Sequence, residues 1–164
     1  MKKILSIIFY LALTIPVIAH ATSCPSNNVV TDAPLFQWTP SSDGTYLTGT
    51  LIMDQVTVTF NNGETLTTRA YAQAGQTPSI PGPTIIMEPG KKYVLRFENR
   101  LPYQPLSPDH NVFKDPNVTN LHTHGMHTTG ETPGDDATRI FEGRTGGDYV
   151  FDVTSDHMGG TFWI

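Results

Sequence analysis

Short runs of two-residue alternation, cut by glycine, proline and asparagine, constrain this chain more than any other feature. Val56, Val58 and Phe60 alternate with Thr57 and Thr59, and Asn61-Asn62-Gly63 follows. Successive side chains of an extended strand point to opposite faces, so such a run fits a half-buried strand. The Asn-Gly pair then supplies the positive φ of a tight hairpin turn. Residues 64–72 read as the returning strand. After Pro81-Gly82-Pro83 a further extended segment covers Thr84–Glu88, Pro89-Gly90 turns the chain, and Lys91–Asn99 forms a strand. In that strand Tyr93, Leu95 and Phe97 share one face, while Lys92, Arg96 and Glu98 share the other. Residues 101–117 carry four prolines and read as a surface loop; Asp148–Val153 alternates again, with Tyr149, Phe151 and Val153 on one side. No 3.6-residue period, internal repeat or low-complexity tract appears. The pattern predicts an all-β chain, an antiparallel sandwich or barrel.

The N-terminus sets the compartment. Lys2 and Lys3 precede an almost wholly apolar run, Ile4 to Ile18, and Ala19-His20-Ala21 has the small-x-small form of a signal-peptidase site. A run of about fifteen residues is shorter than the roughly 20 that a spanning helix needs. Residues 1–21 therefore read as a signal peptide and residues 22–164 as one exported domain, periplasmic or secreted. The mature part holds eight basic against fifteen acidic residues, a formal charge of −7. With no basic cluster, this balance argues against nucleic acid or an anionic membrane surface as a partner. Cys24 is the one cysteine of the chain, so no internal disulfide can form.

Chemistry concentrates in NLHTHGMHTTG, residues 120–130. His122 and His124 are two apart, so an extended backbone sets both imidazoles on one side with Cα atoms roughly 6.5–7 Å apart. Rings placed so can each hold a different metal ion of a cluster, or close on one ion if the backbone bends. Neutral imidazole is a good ligand for copper, zinc, iron and nickel. A His-rich surface loop is the plain alternative. His127 lies three beyond His124, in what reads as a turn, and fits a ligand role less well. His110 and His157 have no partner at ligand spacing and read as surface residues or supports of a site. Asp135 and Asp136 are adjacent, so their carboxylates diverge; they read as a solvated turn rather than an acid–base pair. No nucleophile elbow or phosphate-binding glycine loop is present.

Residues 81–164 resemble the first cupredoxin domain of the multicopper oxidases, the laccase-like family. PGPTIIMEPGKKYVLRFENRL resembles the segment leading to that domain's copper region, and TNLHTHGMH resembles its first His-x-His-Gly motif. GDDATRIFEGRTGGDYVFDVTSDHMGGTFW resembles the bacterial form of the segment after that motif. The resemblance implies a Greek-key β-sandwich of cupredoxin type. In that family four His-x-His pairs hold a three-copper cluster that reduces dioxygen to water while a reductant is oxidised. By position, His122 would serve the type 2 copper and His124 one of the type 3 pair, with Thr123 pointing away, into the body of the domain or toward solvent.

One departure qualifies the resemblance. The family runs on from Gly-Thr-Phe-Trp into a second His-x-His pair, whereas here Gly160-Thr161-Phe162-Trp163 is followed by Ile164. The expectation is a domain incomplete at its C-terminus and cut before that second motif. It would bind copper, lack the cysteine of a blue-copper site, and be inactive as an isolated chain unless the missing oxidase domains come from another polypeptide. Thr161–Ile164 reads as the start of a buried strand. The competing readings are a stand-alone periplasmic copper-binding or carrier module, and a structural sandwich that binds no metal.

Overall fold

The computed structural model describes residues 32–105 and 117–164. Its regular structure is entirely strand, with no helix among the described residues: β1 (Thr39–Pro40), β2 (Leu47–Thr59), β3 (Thr65–Gln73), β4 (Lys91–Asn99) and β5 (Gly146–Val153). The signal-peptide reading, Cys24 and His110 lie outside the described residues.

The long β2 organises one five-stranded sheet. It pairs antiparallel with β3 from Leu51↔Gln73 to Thr59↔Thr65, through the expected hairpin, in which the Gly63 N–H donates to the Phe60 carbonyl at 2.9 Å. Along its other edge β2 pairs with β4 in parallel, from Leu47↔Tyr93 to Met53↔Asn99. The antiparallel expectation fails for this pair. β3 ends beside Leu51, and residues 74–90 pass to the far edge of β2 at that same end, so β4 sets out in the direction of β2. A parallel pair requires such a crossover connection. β4 and β5 are antiparallel, Lys91↔Val153 to Glu98↔Gly146, and β1 adds Thr39↔Thr48 beside β2.

The alternation read from the sequence decides which face is covered. Tyr93, Leu95 and Phe97 of β4 and Tyr149, Phe151 and Val153 of β5 are all buried on one side, with Leu51 and Met53 of β2. Each large side chain so buried contributes about 1.5–3 kcal/mol relative to exposure. Phe36, Leu101, Leu121 and Phe141 close over them, with Phe97 and Phe141 edge to face at 5.4 Å.

The covering layer consists of extended segments joined by single bridges rather than a laddered sheet. Thr84 bonds across to the Pro34 carbonyl and the Phe36 N–H, and Thr119 exchanges bonds with Phe141 at 3.1 and 2.8 Å. The segment Thr84–Glu88 is extended, with Ile85 and Met87 turned toward the core and Ile86 exposed. It makes one bridge, Leu35↔Thr84, and so falls short of the strand the sequence suggested. Residues 119–124, which carry the histidine pair, belong to this layer and are braced on the β5 face below.

Candidate metal centre

The His-x-His segment is extended because it is tied at both ends and beneath. Thr119 bridges Phe141, and the buried Tyr149 hydroxyl oxygen accepts the Leu121 N–H at 2.9 Å. Asn120 Nδ2 donates to the Ala137 carbonyl at 2.7 Å. The His124 N–H donates to the Trp163 carbonyl at 2.9 Å. Strand alternation results: Leu121 and Thr123 are 3% and 4% exposed, and His122 and His124 face outward. The two imidazoles stand on one side with centroids 5.0 Å apart and planes inclined at 61°. Thr123 points into the body of the domain.

Asp135 corrects the sequence reading. Instead of lying in a solvated turn, it is 8% exposed. Its carboxylate accepts the Thr123 N–H at 2.8 Å and the Thr123 hydroxyl at 2.6 Å, and it lies 3.2 Å from His122 Nδ1. The turn before it is closed by the Gly134 N–H on the Glu131 carbonyl, and the Asp135 N–H donates to the Thr129 carbonyl at 2.7 Å. The Val150 N–H, donating to the Pro133 carbonyl, ties that turn to β5. A carboxylate only accepts, so His122 Nδ1 carries the hydrogen and the Nε2 lone pair of the neutral ring is left bare. Metal-ligating histidines are commonly oriented in this way.

One sequence signal pointed to this. A threonine between two outward histidines must turn inward, and a buried hydroxyl needs a partner. Nothing in the spacing says that the partner sits twelve residues on. Asp136 does lie in the solvated turn expected of it. The Thr132 hydroxyl, then the Thr138 hydroxyl and N–H, hold its carboxyl at about 2.

His157, read as partnerless, has a partner in space. Its Nε2 accepts the His127 N–H at 3.0 Å, and the two rings lie 5.5 Å apart. His127 itself is exposed and set apart from the His122–His124 pair. The C-terminal run also departs from expectation. Trp163 and Ile164 are 79% and 53% exposed, because no described segment packs over the indole. The run makes a single bridge, His124↔Trp163, rather than a buried strand.

Copper chemistry suits the donor set as far as that set goes. Two imidazoles stand side by side, and one has its Nε2 lone pair left free because Nδ1 faces a buried carboxylate. Among the described residues, however, no three of His, Cys, Asp and Glu gather into a metal cage. Two ligands hold an ion weakly unless others join them. A cleft of about 470 Å³ runs nearby, lined by Met87, Met126, Phe162 and Ile164 among others, but it reaches neither His122 nor His124. The imidazoles, not the cleft, carry the chemical interest.

Two solved structures share the fold. One is a multicopper oxidase from Campylobacter jejuni described as a metallo-oxidase, with TM-score 0.53 and 19% identity over 77% of this chain and 22% of that one. The other is a multi-copper oxidase from Pediococcus acidilactici, with TM-score 0.50 and 21% identity over 75% of this chain and 22% of that one. The chain thus spans less than a quarter of the length of each. No family model and no curated protein matches it. Likeness at this identity establishes the fold, all-β and cupredoxin-like.

Proposed function

We propose that this chain is a copper-binding cupredoxin domain of the multicopper oxidase type. In this reading His122 and His124 are its ligands, contributed to a copper cluster that further histidine pairs, of this domain type and of a final domain, complete. The observation that carries the reading is the outward imidazole pair, 5.0 Å between centroids, with His122 Nδ1 turned to the buried Asp135. The resemblance of TNLHTHGMH to the family's first ligand motif and the fold shared with two multicopper oxidases support the same assignment. Bound between such domains, copper would supply the one-electron chemistry by which a reductant is oxidised and dioxygen reduced to water.

The chain's own residues do the positioning. Asp135 fixes the His122 tautomer and locks Thr123 inward, which sends the two flanking rings outward. Tyr149 and the Trp163 carbonyl hold the backbone extended, so the rings cannot fold back. Export belongs to the same reading, supported by Lys2-Lys3, the short apolar run and Ala19-His20-Ala21.

Titration of Cu(II) into the wild type, His122→Ala and His124→Ala by calorimetry tests the assignment. Binding is expected to be weak and to need both rings, because chelation is what offsets displacing water from the ion. Unchanged binding in both variants would move the site elsewhere, with His127 next in line.

A further inference from the structure

We infer that His157 is a positioning residue for the ligand-bearing loop, clasping it through the backbone of His127. The tautomer is set by the partners. His157 Nδ1 lies 2.8 Å from the Met158 carbonyl, which can only accept, so Nδ1 carries the hydrogen. Nε2 is then bare and accepts the His127 N–H at 3.0 Å. Both ring nitrogens are occupied, so this imidazole is a tie between two backbone segments rather than a ligand.

The tie acts where the loop most needs one. Between His124 and His127 the chain turns at Gly125, whose φ is +84°. Such a turn has no ladder to hold it. Phe162 packs against it, 3.4 Å from where a Gly125 Cβ would stand, and the His157 ring meets Phe162 edge-on at 5.5 Å. Together with the His124 N–H bond to the Trp163 carbonyl at 2.9 Å, segment 157–163 grips the loop on both sides of the turn. The orientation of His124 therefore depends on that segment being seated, and His157 seats it. This role rests on His124 being a copper ligand, as proposed above.

Two variants separate the effects. His157→Phe keeps an aromatic ring against Phe162 but removes the acceptor; His157→Gln restores an acceptor near the Nε2 position. Residue-resolved amide exchange is read on the metal-free protein and Cu(II) affinity by calorimetry. His157→Phe is expected to speed exchange of the His127 amide about five- to tenfold, the ratio one hydrogen bond is worth. It should leave the Leu95 and Phe151 amides of the sheet unaltered and weaken copper binding by a similar factor. His157→Gln should restore both.

Unchanged exchange at His127, or a rise spread evenly over the sheet, would overturn the inference. Wild-type copper affinity in a variant whose His127 amide is released would also overturn it. A wild type that binds no copper would sink the copper reading and the positioning role with it. The His127 exchange, measured without metal, would then still report whether the clasp exists.

Discussion

Replacing Asp135 tests the site where its structure and its chemistry meet. Among the described residues the carboxylate is the acceptor for two donors of a buried residue, the Thr123 N–H at 2.8 Å and the Thr123 hydroxyl at 2.6 Å. A buried donor left without a partner costs about 1–3 kcal/mol. The hydroxyl can rotate to relieve part of that cost, whereas the N–H cannot. Asp135→Ala should therefore lose about 2–4 kcal/mol, a large share of the roughly 5–15 kcal/mol typical of a domain.

Asp135→Asn keeps an oxygen for the Thr123 N–H and can donate to the hydroxyl oxygen, so about 1 kcal/mol is expected. Neither variant presents an anionic acceptor to His122 Nδ1. Asp135→Ala should lose roughly 10–100-fold in Cu(II) affinity, the usual effect of removing a ligand's orienting partner, and Asp135→Asn, whose neutral oxygen still accepts from Nδ1, should lose less. Urea unfolding of the metal-free proteins, followed by circular dichroism, gives the stability terms, and calorimetric titration gives the copper terms. An alanine variant within about 0.5 kcal/mol of wild type, the threshold for an ordinary surface change, would refute the buried-acceptor reasoning. Wild-type copper affinity in both variants would refute the claim that Asp135 orients His122.

Gly146→Ala places a Cβ 2.2 Å from the Phe97 carbonyl oxygen, a backbone atom of the adjoining strand, and is expected to cost about 2–3 kcal/mol in urea unfolding. Gly125→Ala has room beside Phe162 but must hold φ +84°, which should cost about 1–2 kcal/mol. Asp43, held at about 2 chiefly by the Ser41 hydroxyl and then by Thr45, and Asp136, likewise at about 2, ionise more readily folded than unfolded. Their stabilisation is complete above the ordinary carboxyl value of 3.8 and is lost as pH falls through about 2. The thermal midpoint should drop across that window, and drop less in Asp43→Asn/Asp136→Asn. The copper-loaded chain alone should show neither an intense blue thiolate band nor oxidation of a phenolic dye above that of free copper. Stoichiometric water production by the isolated chain would refute this.

What the sequence disclosed was whatever period two governs. β4 was legible to its ends, since Tyr93, Leu95 and Phe97 could share a face only on a strand, and the hairpin at Asn61-Gly63 announced itself through turn chemistry. The same rule placed His122 and His124 on one side and Thr123 on the other, while which side is buried came only from the fold. The β2–β4 parallel pairing was not legible, because it depends on where residues 74–90 carry the chain rather than on any local pattern. Asp135 was misjudged for a related reason. Its neighbour Asp136 stays at the surface, half-buried, and only the packing of the turn at Pro133 against Val150 decides that one carboxylate goes in and the other out. The His127–His157 contact joins residues thirty apart, beyond the reach of spacing arguments.

The assignment of His122 and His124 as copper ligands is met most directly by pulsed electron paramagnetic resonance on the protein loaded with one equivalent of Cu(II). The wild type is expected to show modulation from the remote nitrogen of coordinated imidazole. The His122→Ala/His124→Ala double variant should lose it, while His127→Ala should keep it. An unaltered imidazole signal in the double variant would contradict the assignment and place the copper on other histidines.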